Sequence, residues 1–478
     1  MSAARLRRGD GETAGPAAGQ PGRVGAGDSG GVTAGDSSRV GAGERGGASS
    51  YWCARAWLPG GVAENVRIDI AEGVIVAVTP GAEPGGAILP GMVLPGFANA
   101  HSHAFHRALR GRTHDDRGSF WTWRERMYAV AERLEPDSYY RLARAVYAEM
   151  VLAGYTSVAE FHYLHHPGRD LRYADPNEFS HALVAAAADA GIRLTLLDVC
   201  YLAGGFGQPT AGVQRRFDDG DADAWADRVE SFQPAGDLVV VGAAVHSVRA
   251  VPAEQLPAVV HAAAGRPLHI HLSEQPRENE ECLATYGCTP TELLASAGAW
   301  TPHTVAVHAT HLTPADIKTL APSWVCLCPS TEADLADGIG PARRLADAGV
   351  RLCLGSDGQT VIDPWYETRA LELHERLASG RRGRFDIGEL FSAATAHAAS
   401  GWTGLGGLAP GQGADLVCVD PASPRTAGAD SAGILYAATA ADVTDVMVAG
   451  RWIVRDRTHR TIDNVAHALA TEIGALWQ

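Results

Sequence analysis

Short apolar runs, bounded by Gly, Pro and charged clusters, recur through the middle of the chain and alternate with stretches of helical period. The runs predict strands near Phe97–His101, Thr156–Leu164, Arg193–Tyr201, Leu238–His246, Pro267–Glu274, Thr304–His308, Trp324–Cys328 and Arg351–Asp357. Helices are expected between them, for example from Asp137 to Leu152 and from Asn177 to Ala190. About eight βα units over roughly 300 residues match the size and rhythm of a TIM (β/α)8-type barrel. A doubly wound open sheet is the alternative, but no Gly-rich first turn of that kind is present.

The flanks read differently. Strand-like runs with turns cover Tyr51 to about Leu94, and a matching set returns at Ala414–Val419 and Asp442–Val454. Two β blocks around a long middle predict one small composite β-sandwich domain, residues 51–96 with 400–478, closed by a short helix from about Val465. The barrel then spans 97–399. Residues 1–50 are rich in Gly, Ala and Ser without hydrophobic period, and are expected to be disordered.

Composition narrows the partners. At 478 residues and 46% hydrophobic, the chain can bury a large core. A net charge of −15 argues against nucleic acid or an anionic membrane as the main partner. No apolar run approaches the roughly 18 residues of a membrane helix, and the early arginines are not followed by the apolar segment of a secretory signal. Eight cysteines without a CxxC pair fit a reducing, cytoplasmic setting, with Cys326 and Cys328 read as strand packing.

Chemistry enters at the strand ends. In the run Val93-Leu-Pro-Gly-Phe-Ala-Asn-Ala-His101-Ser-His103, residues i and i+2 of a strand share a face, so both imidazoles can grip one metal ion. Later strands end in His162-Tyr163, His246-Ser-Val-Arg249, His269-Ile-His271-Leu-Ser-Glu274, His308-Ala-Thr-His311 and Ser356-Asp357. Taken singly, each is explained as a satisfied polar residue or a helix cap. Their convergence on one barrel mouth is the stronger observation. His101, His103, His271 and Asp357 make a ligand set suited to one catalytic Zn2+ per chain, with iron or manganese as alternatives. Such a metal lowers the pKa of its water to about 7. Glu274 could then move protons between nucleophile and leaving nitrogen, His308 could stabilise developing charge, and Asp357 could also accept a proton. His269 shares the face of His271 and has no assigned role.

From about Tyr51 to Trp477 the chain resembles the amidohydrolase superfamily, and within it the formimidoylglutamate deiminases of histidine degradation. The likeness rests on His101-Ser-His-Ala-Phe-His-Arg107, Ser119-Phe-Trp-Thr-Trp-Arg124-Glu, Ala159-Glu-Phe-His-Tyr163, His246-Ser-Val-Arg249, His269-Ile-His-Leu-Ser-Glu274, Val307-His-Ala-Thr-His311 and Ser330-Thr-Glu-Ala-Asp334. The resemblance implies metal-dependent hydrolysis of N-formimino-L-glutamate to N-formyl-L-glutamate and ammonia. It also implies that Arg124, Tyr163, His246 and Arg249 hold the glutamate portion, and that the enzyme is a homodimer acting on a small molecule. Bidentate, always-charged arginines suit two carboxylates. Three motifs depart from the family pattern: His106 replaces Gln, Gly358-Gln359 replaces Ser-His, and Asp334 replaces Asn. His106 lies beside the substrate by this resemblance, so the departures bear on substrate identity. The rival readings are a related single-metal deaminase for another small acid bearing an amidine or guanidine, and a non-catalytic ligand-binding barrel.

Overall fold

The computed structural model describes residues 49–114, 118–168 and 171–478. The expectation of disorder falls almost wholly outside them. At its edge, Ser49 and Ser50 are already in a strand, because their backbones pair with Ile70 and Asp69.

Eight parallel strands form the central sheet in sequence order. They are β1 (Phe97–Ser102), β2 (Tyr155–His162), β3 (Arg193–Cys200), β4 (Val239–Val245), β5 (Leu268–Leu272), β6 (Thr304–His308), β7 (Trp324–Leu327) and β8 (Arg351–Leu354). Each lies within or close to its expected span. Most are buried along their whole length, as strands covered on both faces must be, which is why they read as near-continuous apolar runs. The ring closes beyond the regular ladder. The Asp357 N–H donates to the His101 carbonyl at 2.9 Å, and the His103 N–H donates to the Asp357 carbonyl at 3.1 Å. Gly355 makes this approach feasible, since a Cβ there would sit 2.8 Å from the His101 carbonyl oxygen.

The helix Pro136–Ala153 shows how the outer layer is specified. Tyr139, Leu142, Ala143, Val146, Tyr147, Met150 and Val151 are buried at helical spacing. Proline opens the helix, and Gly154, at φ 108°, ends it with its N–H on the Met150 and Val151 carbonyls. Its partly buried Glu149 takes hydrogen bonds from Arg107 and Arg110, each at 2.8 Å, and so anchors the segment that follows β1.

Strands from both ends of the described chain form a second, separate sheet of nine strands. Met92–Pro95 is its hinge, pairing parallel with Ser49–Leu58 and antiparallel with Leu416–Val419. Cys53, Val66, Ile68, Ile75, Leu416 and Cys418 fill a small core of its own. The C-terminal helix is Val465–Leu476. Among the described residues, no helix is long and apolar enough to cross a membrane.

A buried ion pair links this sheet to the barrel. Arg193, at the start of β3, binds Asp415 bidentately at 2.9 and 3.0 Å, and Asp415 also accepts from the Ala449 N–H at 2.8 Å. Removing one partner of such a pair strands a buried charge at a cost of roughly 3–5 kcal/mol. Arg193→Met is therefore expected to lower the urea midpoint clearly, and Arg193→Met with Asp415→Asn to recover part of the loss. A single variant as stable as the parent would show that the pair contributes nothing.

Candidate metal centre and substrate cavity

β1, β5 and the segment after β8 bring four side chains to one point at the barrel mouth. The ligand atoms of His101, His103, His271 and Asp357 all lie within 4.8 Å of one another. His101 Nε2 is 3.0 Å from His271 Nε2, and Asp357 Oδ1 is 3.3 Å from both His101 Nε2 and His103 Nε2. His103 Nδ1 faces the Phe161 carbonyl at 3.0 Å, which commits its proton there and leaves Nε2 as a bare lone pair. Burial pushes all three imidazoles below their ordinary 6.5, so the neutral, ligating form prevails. Burial opposes the charge on Asp357, but its hydrogen bond to His101 and the charge of His308 outweigh that and hold the carboxyl well below the usual range. Donor atoms crowded in this way are what a divalent cation relieves, and three imidazoles with one carboxylate suit such an ion.

The backbone around these ligands is strained. Ser273, His308, Ala309, Asp357 and Gln359 all have positive φ between 40° and 67°. Non-glycine residues adopt this region at a cost of order 1–3 kcal/mol each, and they persist where the surroundings over-determine them. The excursions lie at or just past the ends of β5, β6 and β8, where the chain turns out of the barrel while its side chains stay at the mouth.

Glu274 and His308 lie beside this cluster. His308 Nε2 is 3.8 Å from Glu274 Oε1 and 3.9 Å from Asp357 Oδ2, while its Nδ1 is 3.5 Å from Glu332 Oε1. Burial opposes protonation of His308, yet Glu274, Glu332 and Asp357 together raise it well above 6.5. Burial raises the Glu274 carboxyl above 4.5, against the pull of His308 and Arg249.

A cavity of about 510 Å³ runs from this cluster to the expected glutamate-holding residues. Arg124, Tyr163, His246, Arg249 and His106 all line it. Arg124, on the helix Phe120–Arg133, packs over Trp121 at 4.5 Å and Tyr128 at 5.6 Å. Arg249 donates from Nε to Glu278 at 2.8 Å, and its NH2 is 3.9 Å from Glu274. Burial, followed by the charges of Arg249 and Arg124, drives His246 well below 6.5. Burial likewise pushes His106 to about 3, where it is a neutral ring hydrogen-bonded to the Tyr163 hydroxyl at 3.0 Å. His106 thus adds shape and a hydrogen bond to the cavity, not charge.

Some strand-end residues do not reach the mouth. His162 alternates with the inward-facing Phe161 and Tyr163, so its ring packs outward near Tyr139, Phe179 and His165. His311 contacts the Asp337 carbonyl at 2.8 Å, and His269 lies below His271 against the Ala399 carbonyl at 3.3 Å. The other two departures also gain places. Gln359 is buried and bonds the Ser102 hydroxyl, the Ser356 hydroxyl and the Asp357 carbonyl, each at 2.9 Å, beneath the ligands. Asp334 pairs with His114 at 2.7 Å on the rim.

Sequence reasoning missed three acids that support the site. Glu160 accepts from the Ser102 hydroxyl at 2.8 Å and the Ala104 N–H at 2.7 Å, bracketing His103. Glu278 holds Arg249 and the Ser273 N–H, and Glu332 faces His308. An acid inside an apolar strand run is the signal that marks Glu160. Nothing local marks the other two.

The amidohydrolase family profile matches residues 92–453, and the profile for the N-terminal domain of formimidoylglutamate deiminase HutF matches residues 52–88. The formimidoylglutamate deiminase of Pseudomonas aeruginosa is 41% identical over 453 residues, which cover 90% of this chain and 99% of that protein. Among solved structures, an amidohydrolase from Brucella melitensis superposes with a TM-score of 0.82 at 35% identity, covering 90% of this chain and all of its own. A zinc-bound adenosine deaminase from Xanthomonas campestris superposes with a TM-score of 0.78 at 25% identity, over 90% of this chain and 97% of its own.

If the four clustered groups hold a cation, losing one must weaken it. Loss of even an outer partner typically costs 10–100-fold in metal affinity. His271→Ala is therefore expected to bind a divalent metal at least about tenfold more weakly than the parent, measured by chelator competition and elemental analysis. Unchanged affinity would remove His271 from the ligand set.

Proposed function

The chain belongs to the amidohydrolase family, and from that premise we propose that it hydrolyses N-formimino-L-glutamate to N-formyl-L-glutamate and ammonia, as a formimidoylglutamate deiminase of histidine degradation. The observation that carries the reading is a single cavity with a His/Asp cluster and Glu274 at one end and two arginines in its wall. A dicarboxylate bearing an amidine needs both ends. A planar neutral nucleobase gives no reason for two arginines.

His101, His103, His271 and Asp357 would hold one Zn2+, which when bound supplies Lewis-acid activation of water at neutral pH. Arg124 and Arg249 bind the two carboxylates. Arg249 meets the substrate already oriented, because Glu278 fixes its Nε. Arg124 is stiffened by stacking on Trp121 and Tyr128, and no carboxylate among the described residues is seen to pair with it. Tyr163, with His106 behind it, and His246 shape the wall between the ends and orient the formimino carbon toward the cluster.

Glu274 moves the proton. Its carboxylate takes one from the attacking water and delivers it to the terminal nitrogen; the second water proton leaves the hydroxyl as the carbonyl forms and reaches the same nitrogen by way of Glu274 or Asp357, so that the carbon–nitrogen bond breaks with release of ammonia. A carboxyl raised by burial exchanges protons more readily near neutrality than an ordinary one. His308, kept positive by the acids around it, stabilises negative charge that develops at the reacting centre. The same reading makes the enzyme cytoplasmic and, from the family resemblance, a homodimer.

Glu274→Gln is expected to keep metal and fold but lose about 10²–10⁴-fold in kcat, since the amide preserves size and cannot carry a proton. A near-parental rate with metal in place would transfer the proton role to His308.

Substrate choice is tested by Arg124→Met and Arg249→Met. Losing a charged hydrogen-bond partner costs roughly 1.5–3 kcal/mol, or about one to two decades in kcat/KM. Each variant is expected to lose that much toward formiminoglutamate, mainly through KM. Thermal stability is followed in parallel, because Arg249→Met also strands Glu278. Equal efficiency of the parent toward N-formimino-glutamate, -aspartate and -glycine would remove the dicarboxylate assignment. Better formiminoglutamate turnover in His106→Gln would point to a different small acid as the natural substrate.

A further inference from the structure

Next to the four-ligand cluster, a second group of metal-binding side chains converges. One ligand atom each from Glu274, His308 and Asp337 lies within 4.8 Å of the others, and all three residues are buried. None of them belongs to the His101, His103, His271 and Asp357 set.

Asp337 is the residue with no role so far. It is 3% exposed, and its Oδ2 has no hydrogen-bond partner, while Oδ1 accepts from the Gln275 side chain. Its position is fixed from both sides. The Asp337 N–H donates to the Glu332 carbonyl at 3.0 Å, and its own carbonyl faces His311 Nε2 at 2.8 Å. A buried carboxylate with one oxygen unpartnered, held beside a second carboxylate, is costly unless a proton or a cation shares the space.

His308 is oriented to complete the set. Its Nδ1 side faces Glu332, so Nε2 is the atom turned toward Glu274. Asp357 Oδ2, 3.9 Å from that nitrogen, adds a third negative group at the edge. The opposing cation is Arg249, whose NH2 is 3.9 Å from Glu274 but whose closer partner is Glu278 at 2.8 Å. One imidazole and two carboxylates suit a divalent first-row metal such as Zn2+.

We propose that Glu274, His308 and Asp337 form a second, weaker divalent-cation site, and that its occupation inhibits the enzyme by taking Glu274 out of proton transfer. The cation ties both Glu274 and His308 into coordination. Free divalent metal is thereby an inhibitor of the enzyme that needs one metal to work. The inference rests on the first site and on the role given above to Glu274.

The test uses the full chain, stripped of metal and titrated with Zn2+ in equilibrium dialysis while turnover is followed. The parent is expected to bind one tight equivalent that supports activity, then a second, weaker one that suppresses it in step with binding. Asp337→Asn is expected to keep the tight equivalent and to weaken the second by at least about tenfold, taking the loss of an outer partner as the lower bound. Inhibition should shift by the same factor. Glu274→Gln, judged by stoichiometry alone, should show the same loss and serves if Asp337→Asn does not fold. Saturation of the parent at one equivalent would overturn the proposal, as would a second equivalent bound equally well by the folded variants. Failure of the first-site reading is distinguishable, because it would appear as a parent with no tight equivalent that His271→Ala abolishes.

Discussion

The main-chain pairing of Asp357 with His101 and His103 is the constraint on which the rest depends. These bonds close the barrel between its first and last strands, and the residues that make them carry three of the four clustered donor side chains. Ring closure and site assembly are therefore one event. Gly355 permits the approach, and Gln359 locks it from below through Ser102, Ser356 and the Asp357 carbonyl. The positive φ angles at Asp357 and Gln359 are tolerated because this network leaves the chain no other path.

A site with this much buried charge has to be balanced locally, since the chain as a whole is at −15. The balance is made by pairing each acid with donors or cations of fixed geometry. Glu278 takes Arg249 and a backbone N–H, and Glu160 takes the Ser102 hydroxyl and the Ala104 N–H. Glu149 gathers Arg107 and Arg110. Buried carboxylates without such partners would rather protonate than persist as ions. Glu274 and Asp337 are the incompletely paired exceptions, Glu274 with its nearest cations at 3.8 and 3.9 Å and Asp337 with one oxygen unpartnered.

The arginine-bearing wall of the cavity follows another principle. Arg124 and Arg249 are both oriented, one by aromatic stacking and the other by an ion pair, so under the proposed function less freedom would be lost on docking of a carboxylate. His106 sits among them as a neutral ring. Its departure from the family pattern changes shape and hydrogen bonding at the wall and leaves the positive charge to the arginines.

Much of this was legible in the linear chain. Continuous apolar runs marked the eight barrel strands, because strands buried on both faces need no alternation, and the i, i+2 rule placed His101 beside His103. The same rule, applied to Tyr155–His162 and carried one residue further, assigns Phe161 and Tyr163 to one face and His162 to the other, so the outward turn of His162 was also readable. Hydrophobic period and side-chain parity are local properties, and local properties survive in a sequence. What only the tertiary structure decided is which distant groups meet. Glu278 on Arg249, Glu332 behind His308, Glu160 bracketing His103 and Asp337 beside Glu274 join segments of different strands that lie close in the folded barrel, and no periodicity records their approach. The sequence by itself determined the strands and the residues they carry to their ends. The closed ring determined which charges face one another, because electrostatic partners are set by distance in space and not by spacing along the chain.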